Sequence, residues 1–322
     1  MVRETAQARR GVPHLRVTGK ESTVAGTEQM AAQMAGKGGF IAALDQSGGS
    51  TPGALRQYGI PDDAYHGETE MFRLIHDMRV RIITSPAFTG DRVIGAILFE
   101  GTMNGAVEGT PTPSYLWQER GVVPFVKVDK GLEAEVDGVR LMKPMPELDV
   151  LLKRATGLGV YGTKMRSLIN GASRTGIAAI VQQQFEIGRR IAEHGLMPII
   201  EPEVSIKAPD KEAAEEILRD EIQRRLDALE GNGKVMLKLT IPSVPDLYAP
   251  LIRHARVQRV VALSCGYSRH EACRLLATNH GMIASFSRAL IDHLRASMSD
   301  TAFDAALREA IDQIYQASVH KA

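Results

Sequence analysis

Short apolar runs of strand length recur eight times along the chain. They are GFIAALDQ (39–46), RVIGAILFEG (92–101), VVPFVKVD (122–129) and VYGTKMR (160–166), followed by LMPIIEPEV (196–204), VMLKLTIP (235–242), RVVALSCG (259–266) and MIASFSR (282–288). Each is apolar at successive positions rather than at alternate ones, which is the pattern of a strand buried on both faces. Stretches with helical spacing lie between and after them, at 172–195, 210–234, 268–281 and 300–318. Asp210 is placed to cap the second of these, and Ser268 with Glu271 has capping-box spacing at the start of the third.

Eight strands alternating with helices predict an α/β fold, a single-domain TIM (β/α)8 barrel. An open doubly wound sheet also alternates in this way, but its G-x-G-x-x-G turn after the first strand is missing; SGGS at 47–50 has the wrong spacing. Residues 1–25 are polar and Arg-rich, without the apolar core of a secretory signal, and read as a flexible extension to a barrel domain over 26–322.

Composition narrows the function. The 322 residues are 44% hydrophobic, enough for a large core, and 39 basic against 38 acidic residues give no bulk attraction to nucleic acid or anionic membrane. Two cysteines, Cys265 and Cys273, are too few for a disulfide framework, and no CxxC occurs. A cytoplasmic protein is expected.

The charged residues of six runs fall near their C-terminal ends: Asp45, Lys127 and Asp129, Lys164 and Arg166, Glu201 and Glu203, Lys238, Arg288. Side chains two apart on a strand share a face, so these groups converge at the top of a barrel, where barrel enzymes keep their active sites. Lys238 sits among apolar neighbours; a lysine short of water beside other cations (Lys127 and Lys164 are candidates) can act as an amine nucleophile toward a ketone. Alternatively its stem snorkels along the barrel wall. Glu201 and Glu203 could supply the acid/base that imine formation requires, or could hold a divalent metal, although no histidine neighbours them. LSCGYS (263–268) and Arg288 offer backbone N–H groups, hydroxyls and a guanidinium to a phosphate.

The ordered motifs ALDQSGGS, VKVDKG, GTKMRS, IIEPEV, VMLKLTIP, LSCGYS and FSRAL, spread over roughly residues 27–300, resemble those of the class I fructose-1,6-bisphosphate aldolases, the Schiff-base-forming, metal-independent kind, and most closely the shorter bacterial type. The resemblance implies a lyase of glycolysis and gluconeogenesis that needs no cofactor. It implies that Lys238 forms the Schiff base, Glu201 exchanges protons with help from Glu203, Asp45 handles the C4 hydroxyl, and Lys164 supports imine formation. It also implies that Lys127, Ser47 and Arg166 hold one phosphate, while Ser264, Gly266 and Arg288 hold the ketone-side phosphate. Gln46 stands where many animal members have Glu, Cys265 interrupts a Ser-Gly-Gly loop, and the sequence ends in VHKA without a terminal tyrosine. A homo-oligomer acting on a phosphorylated sugar is expected, with neither nucleic acid nor membrane as partner. Another Schiff-base barrel lyase, such as a transaldolase or a single-phosphate sugar aldolase, and a non-catalytic barrel scaffold remain the alternatives.

Overall fold

The computed structural model describes residues 19–47 and 51–322. Eight parallel strands form the barrel: β1 (Phe40–Leu44), β2 (Val93–Leu98), β3 (Val123–Lys127), β4 (Gly162–Ile169), β5 (Met197–Val204), β6 (Val235–Thr240), β7 (Val257–Leu263) and β8 (Met282–Ala284). They pair in chain order from β1 to β8, and the Ala43 N–H donates to the Phe286 carbonyl at 3.0 Å across the closing seam. The expected barrel is the architecture observed.

Helices cover the outside. In chain order they are α1 (Gly19–Gly36), α2 (Thr51–Tyr58), α3 (Gly67–Thr84), α4 (Glu100–Asn104), α5 (Thr112–Gln118), α6 (Leu148–Gly157), α7 (Arg174–Glu193), α8 (Lys211–Asp227), α9 (Ala249–Ile252), α10 (Arg269–Ala277), α11 (Arg288–Ile291) and α12 (Asp300–Val319). Of the polar segment 1–25, residues 1–18 lie outside those described, and α1 begins at Gly19, so position 25 falls inside a helix.

Every residue of β1, β2 and β6 is buried, as continuous apolar runs predict. Phe40, Ala42 and Leu44 pack outward against the helices, whereas Ile41 and Ala43 join Val123, Phe125, Ile199, Met236, Val261 and Ile283 in a separate cluster that fills the barrel. Met30 and Met34 of α1 complete that cluster from below. Gln33 Nε2 donates to the carbonyls of Ile94 and Gly121, and Arg259 Nε donates to Met34 O, so α1 is fastened across the N-terminal ends of the strands as a floor.

Strand periodicity then sets the site. Continuing each inward row by two residues leads from Ala43 to Asp45, from Phe125 to Lys127, from Ile199 to Glu201 and from Met236 to Lys238. The interior is therefore apolar below and charged above.

Several boundaries differ from the sequence reading. β4 runs on to Ile169 because Val139–Arg140 adds an antiparallel pairing with Leu168 and Ile169, which places Arg166 within the strand rather than at its end. Asp210 makes no side-chain cap to α8; its carboxylate accepts instead from the Ala172 N–H at 2.9 Å and joins two loops. Ser268 does cap α10, accepting from the Glu271 N–H. The final residues stay at the barrel base, where Lys321 Nζ donates to the carbonyls of Leu276, Met282 and Ala317.

Gly162 is required by packing. A Cβ there would lie 2.3 Å from Met197 O and 2.8 Å from the Phe125 ring. Gly162→Ala is expected to cost about 1–3 kcal/mol in denaturant unfolding, whereas Val136→Ala, at a position 71% exposed, should change stability by less than about 0.5 kcal/mol.

Candidate active site

A cavity of about 720 Å³ opens at the C-terminal ends of the strands. It is lined by Asp45, Ser47, Lys127, Lys164, Arg166, Glu201, Glu203, Lys238, Ser264 and Arg288, so all but one of the residues singled out in the sequence meet there. The exception, Gly266, stands behind Arg288: a Cβ on it would approach the guanidinium to 3.2 Å, and its φ of +100° suits only glycine. Of the SGGS turn, Ser47 lies on the cavity wall and residues 48–50 fall outside those described.

Glu201 is shared between two lysines. Its Oε1 lies 3.2 Å from Lys238 Nζ and its Oε2 lies 2.9 Å from Lys164 Nζ. Both amines and the carboxylate are almost completely buried, at 4%, 3% and 3% exposure. Oε2 is near Lys164 but off its hydrogen-bonding direction, and it has no hydrogen-bond donor among the described residues. The cations expected to crowd Lys238 are thus arranged differently: a carboxylate separates it from Lys164, and Lys127 is engaged by Asp129 and Ser47 at 3.0 and 3.1 Å.

Lys164 also reaches Asp45 at 2.6 Å. Burial alone would raise the Asp45 carboxyl, but the charges of Lys164, Lys238 and Lys127 outweigh it and hold this group well below the usual carboxylate range. Burial would likewise lower the Lys164 ammonium, and Asp45, Glu201 and Asp129 together hold it well above its ordinary value. At neutral pH both groups are charged.

Neighbouring elements fix these positions. Gln184 of α7, fully buried, accepts from the Glu201 N–H at 2.8 Å and donates to Ser167 Oγ at 3.0 Å, which joins β4 to β5 at the level of the site. Arg166 pairs with Glu203 at 2.5 Å, and its own N–H donates to Asp129 at 3.2 Å. Asp129 therefore touches Lys127 and Arg166 together, a junction that its place in the sequence did not disclose. Nor did the sequence disclose Gln184, which stands among glutamines at ordinary helical positions. Burial pushes the Cys265 thiol up to about 12, aided by the charge of Glu203, so it stays protonated. It donates weakly to Thr240 Oγ1.

A parallel barrel with a buried lysine–carboxylate pair inside its upper rim holds the groups that imine chemistry on a carbonyl compound requires. A solved fructose-bisphosphate aldolase from Plasmodium falciparum shares this fold with a TM-score of 0.71 at 19% identity, over 99% of this chain and all of that one. The family model for fructose-bisphosphate aldolase class-I matches residues 26–239. The class 1 fructose-bisphosphate aldolase of Porphyromonas gingivalis is 55% identical over 287 residues, covering 89% of this chain and 97% of its own length. That of Synechocystis is 56% identical over 281 residues, covering 87% and 94%. The chain belongs to the class-I fructose-bisphosphate aldolases.

Replacing Lys164 by Met removes the counter-charge from two buried acids, so Lys164→Met is expected to lower unfolding stability at pH 7 by about 3–5 kcal/mol. The sign of the pH dependence follows from the two shifts. Asp45, held below 3.8 when folded, contributes stability that is present at neutral pH and lost as acid passes below that value. Lys164, held above 10.5, contributes stability that is fully present below that value and is lost as alkali rises from there to its raised folded-state value. Chemical denaturation from pH 3 to 9 checks the acid limb, stability falling below about pH 4 while the pair adds no slope between about pH 5 and 9.

Proposed function

We propose that this protein cleaves fructose 1,6-bisphosphate reversibly to dihydroxyacetone phosphate and glyceraldehyde 3-phosphate, through a Schiff base on Lys238. The observation that carries this reading is the buried carboxylate of Glu201 held between two lysine amines. Lys238, at 3.2 Å, can yield a proton to Glu201 as its nitrogen attacks the C2 ketone. The resulting carbinolamine loses its oxygen as water when Glu201 returns the proton, leaving a cationic imine.

That cation is the electron sink. Asp45 takes the proton of the C4 hydroxyl, the C3–C4 bond breaks, and its electron pair moves into the imine to give an enamine while the aldehyde departs. The proton taken up by Asp45 passes by way of Lys164, which lies 2.6 Å from Asp45 and 2.9 Å from Glu201, to Glu201 and from there to C3; hydrolysis of the imine then frees the ketone and restores Lys238. Lys164 supplies Asp45 with the counter-charge that keeps it ionised before each turnover. Glu203 fixes Arg166, which with Lys127 and Ser47 forms a cationic wall suited to one phosphate. Ser264, Gly266 and Arg288 suit the other, with a glycine backbone that lets the guanidinium lie close.

The same reading places a cytoplasmic homo-oligomer in glycolysis or gluconeogenesis, with residues 26–322 as the catalytic unit. No helix among the described residues is long and apolar enough to cross a membrane.

Borohydride reduction in the presence of dihydroxyacetone phosphate is expected to add one covalent adduct to the chain, at Lys238, and Lys238→Ala should abolish it. A trapped adduct of full strength in that variant would overturn the assignment. EDTA should leave cleavage intact, and fructose 1,6-bisphosphate should be preferred over fructose 1-phosphate. Gly266→Ala, which forces a residue at φ +100° and crowds Arg288, should raise KM for both sugars and destabilise the fold by about 1–3 kcal/mol.

A further inference from the structure

Arg79 is a fully buried cation on α3, outside the barrel wall, and nothing above gives it a part. Among the described residues its guanidinium makes three hydrogen bonds, none to a charged group. Nη1 donates to Thr102 Oγ1 of α4 at 2.8 Å, and Nη2 donates to the backbone carbonyl of Gln46 at 2.5 Å and to the Gln46 side-chain oxygen at 3.4 Å. Nε, also buried, has no acceptor among the described residues. Such a group is costly to bury, because a guanidinium removed from water normally requires a carboxylate and a full set of acceptors. A well-packed methionine or leucine would serve the core better.

The contacts indicate what the charge does there. Gln46 directly follows Asp45 and precedes Ser47, so the carbonyl gripped by Arg79 sets the path of the chain that presents both side chains to the cavity. The Gln46 amide accepts from Arg79 on one side and donates to Ser287 Oγ at 2.6 Å on the other, beside Arg288. One buried cation thereby ties the turn after β1 to α4 and to the segment after β8. Burial pushes the guanidinium down to about 10, opposed by the nearby charge of Asp45.

We propose that Arg79 is a positioning residue for carbon–carbon bond cleavage, acting through Gln46 to hold Asp45 in place against the C4 hydroxyl. The inference rests on the reading of Asp45 given above. Arg79 touches no reacting atom, so Schiff-base and enamine formation at Lys238 do not depend on it.

Two reactions of the full-length protein separate these effects. Exchange of the C3 proton of dihydroxyacetone phosphate with deuterium oxide requires the imine and enamine but no C4 hydroxyl, whereas cleavage of fructose 1,6-bisphosphate requires both. In Arg79→Met, kcat for cleavage should fall at least about tenfold, the scale of a misplaced proton-transfer group, while the exchange rate stays within about twofold of wild type. Arg79→Lys restores charge without the planar fork and should recover part of the cleavage rate. If Arg79→Met does not fold, as judged by thermal melting, Arg79→Lys decides alone by the same pair of assays: cleavage reduced with exchange retained supports the proposal.

Unchanged cleavage in folded variants overturns the proposal, and so does a parallel loss of both reactions, which would mark a structural role. Absence of cleavage in the wild-type protein would instead overturn the proposed activity.

Discussion

The structure depends on charge neutralisation at the largely buried upper end of the barrel. Asp45, Asp129, Glu201 and Glu203 face Lys127, Lys164, Arg166 and Lys238, and each is stable there only because an opposite charge lies within about 4 Å. The acids and bases come from β1, β3, β4, β5 and β6 and the turns that follow them, and apart from Lys127 with Asp129 each pair joins two different elements. Pairing across strands is therefore also a demand on the closure of the sheet. A barrel with one strand out of register would leave a buried ion without a partner, at a cost of several kcal/mol.

This dependence runs in both directions. The apolar lower interior fixes which residues of each strand point inward, and α1 keeps water from that region by spanning the floor. Above it, Gln184 and Thr240 tie the strands by side-chain hydrogen bonds at the heights where the acids emerge: Gln184 holds the Glu201 backbone, and Thr240 both donates to Val204 O and accepts from its N–H. These ties fix the acids through the protein's own hydrogen bonds, which is the preorganisation that charge stabilisation requires.

The legibility of the fold follows from the same physics. Strands buried on both faces produce continuous apolar runs, and all eight stood out because nothing else in the chain has that pattern. The charged residues stood out by interrupting those runs, so Lys238 and the glutamates of IIEPEV could be read directly. Arg79 and Gln184 could not. Both lie on helices where arginine and glutamine normally face solvent, and only the packing of α3 and α7 against the strands reveals that they are buried. The extent of β4 was also hidden, because its last two residues pair with the distant Val139–Arg140, which has no pattern of its own. The position of Glu201 between two amines, rather than beside one, required distances that sequence spacing does not contain.

The helical floor has a kinetic corollary. Among the described residues, α1 covers the N-terminal ends of the strands and the charged cavity opens at the opposite end. Under the reaction proposed above, both products would have to pass through the one cavity that Lys238 and Asp45 share, so the aldehyde and the fragment held on the amine could not leave independently of each other.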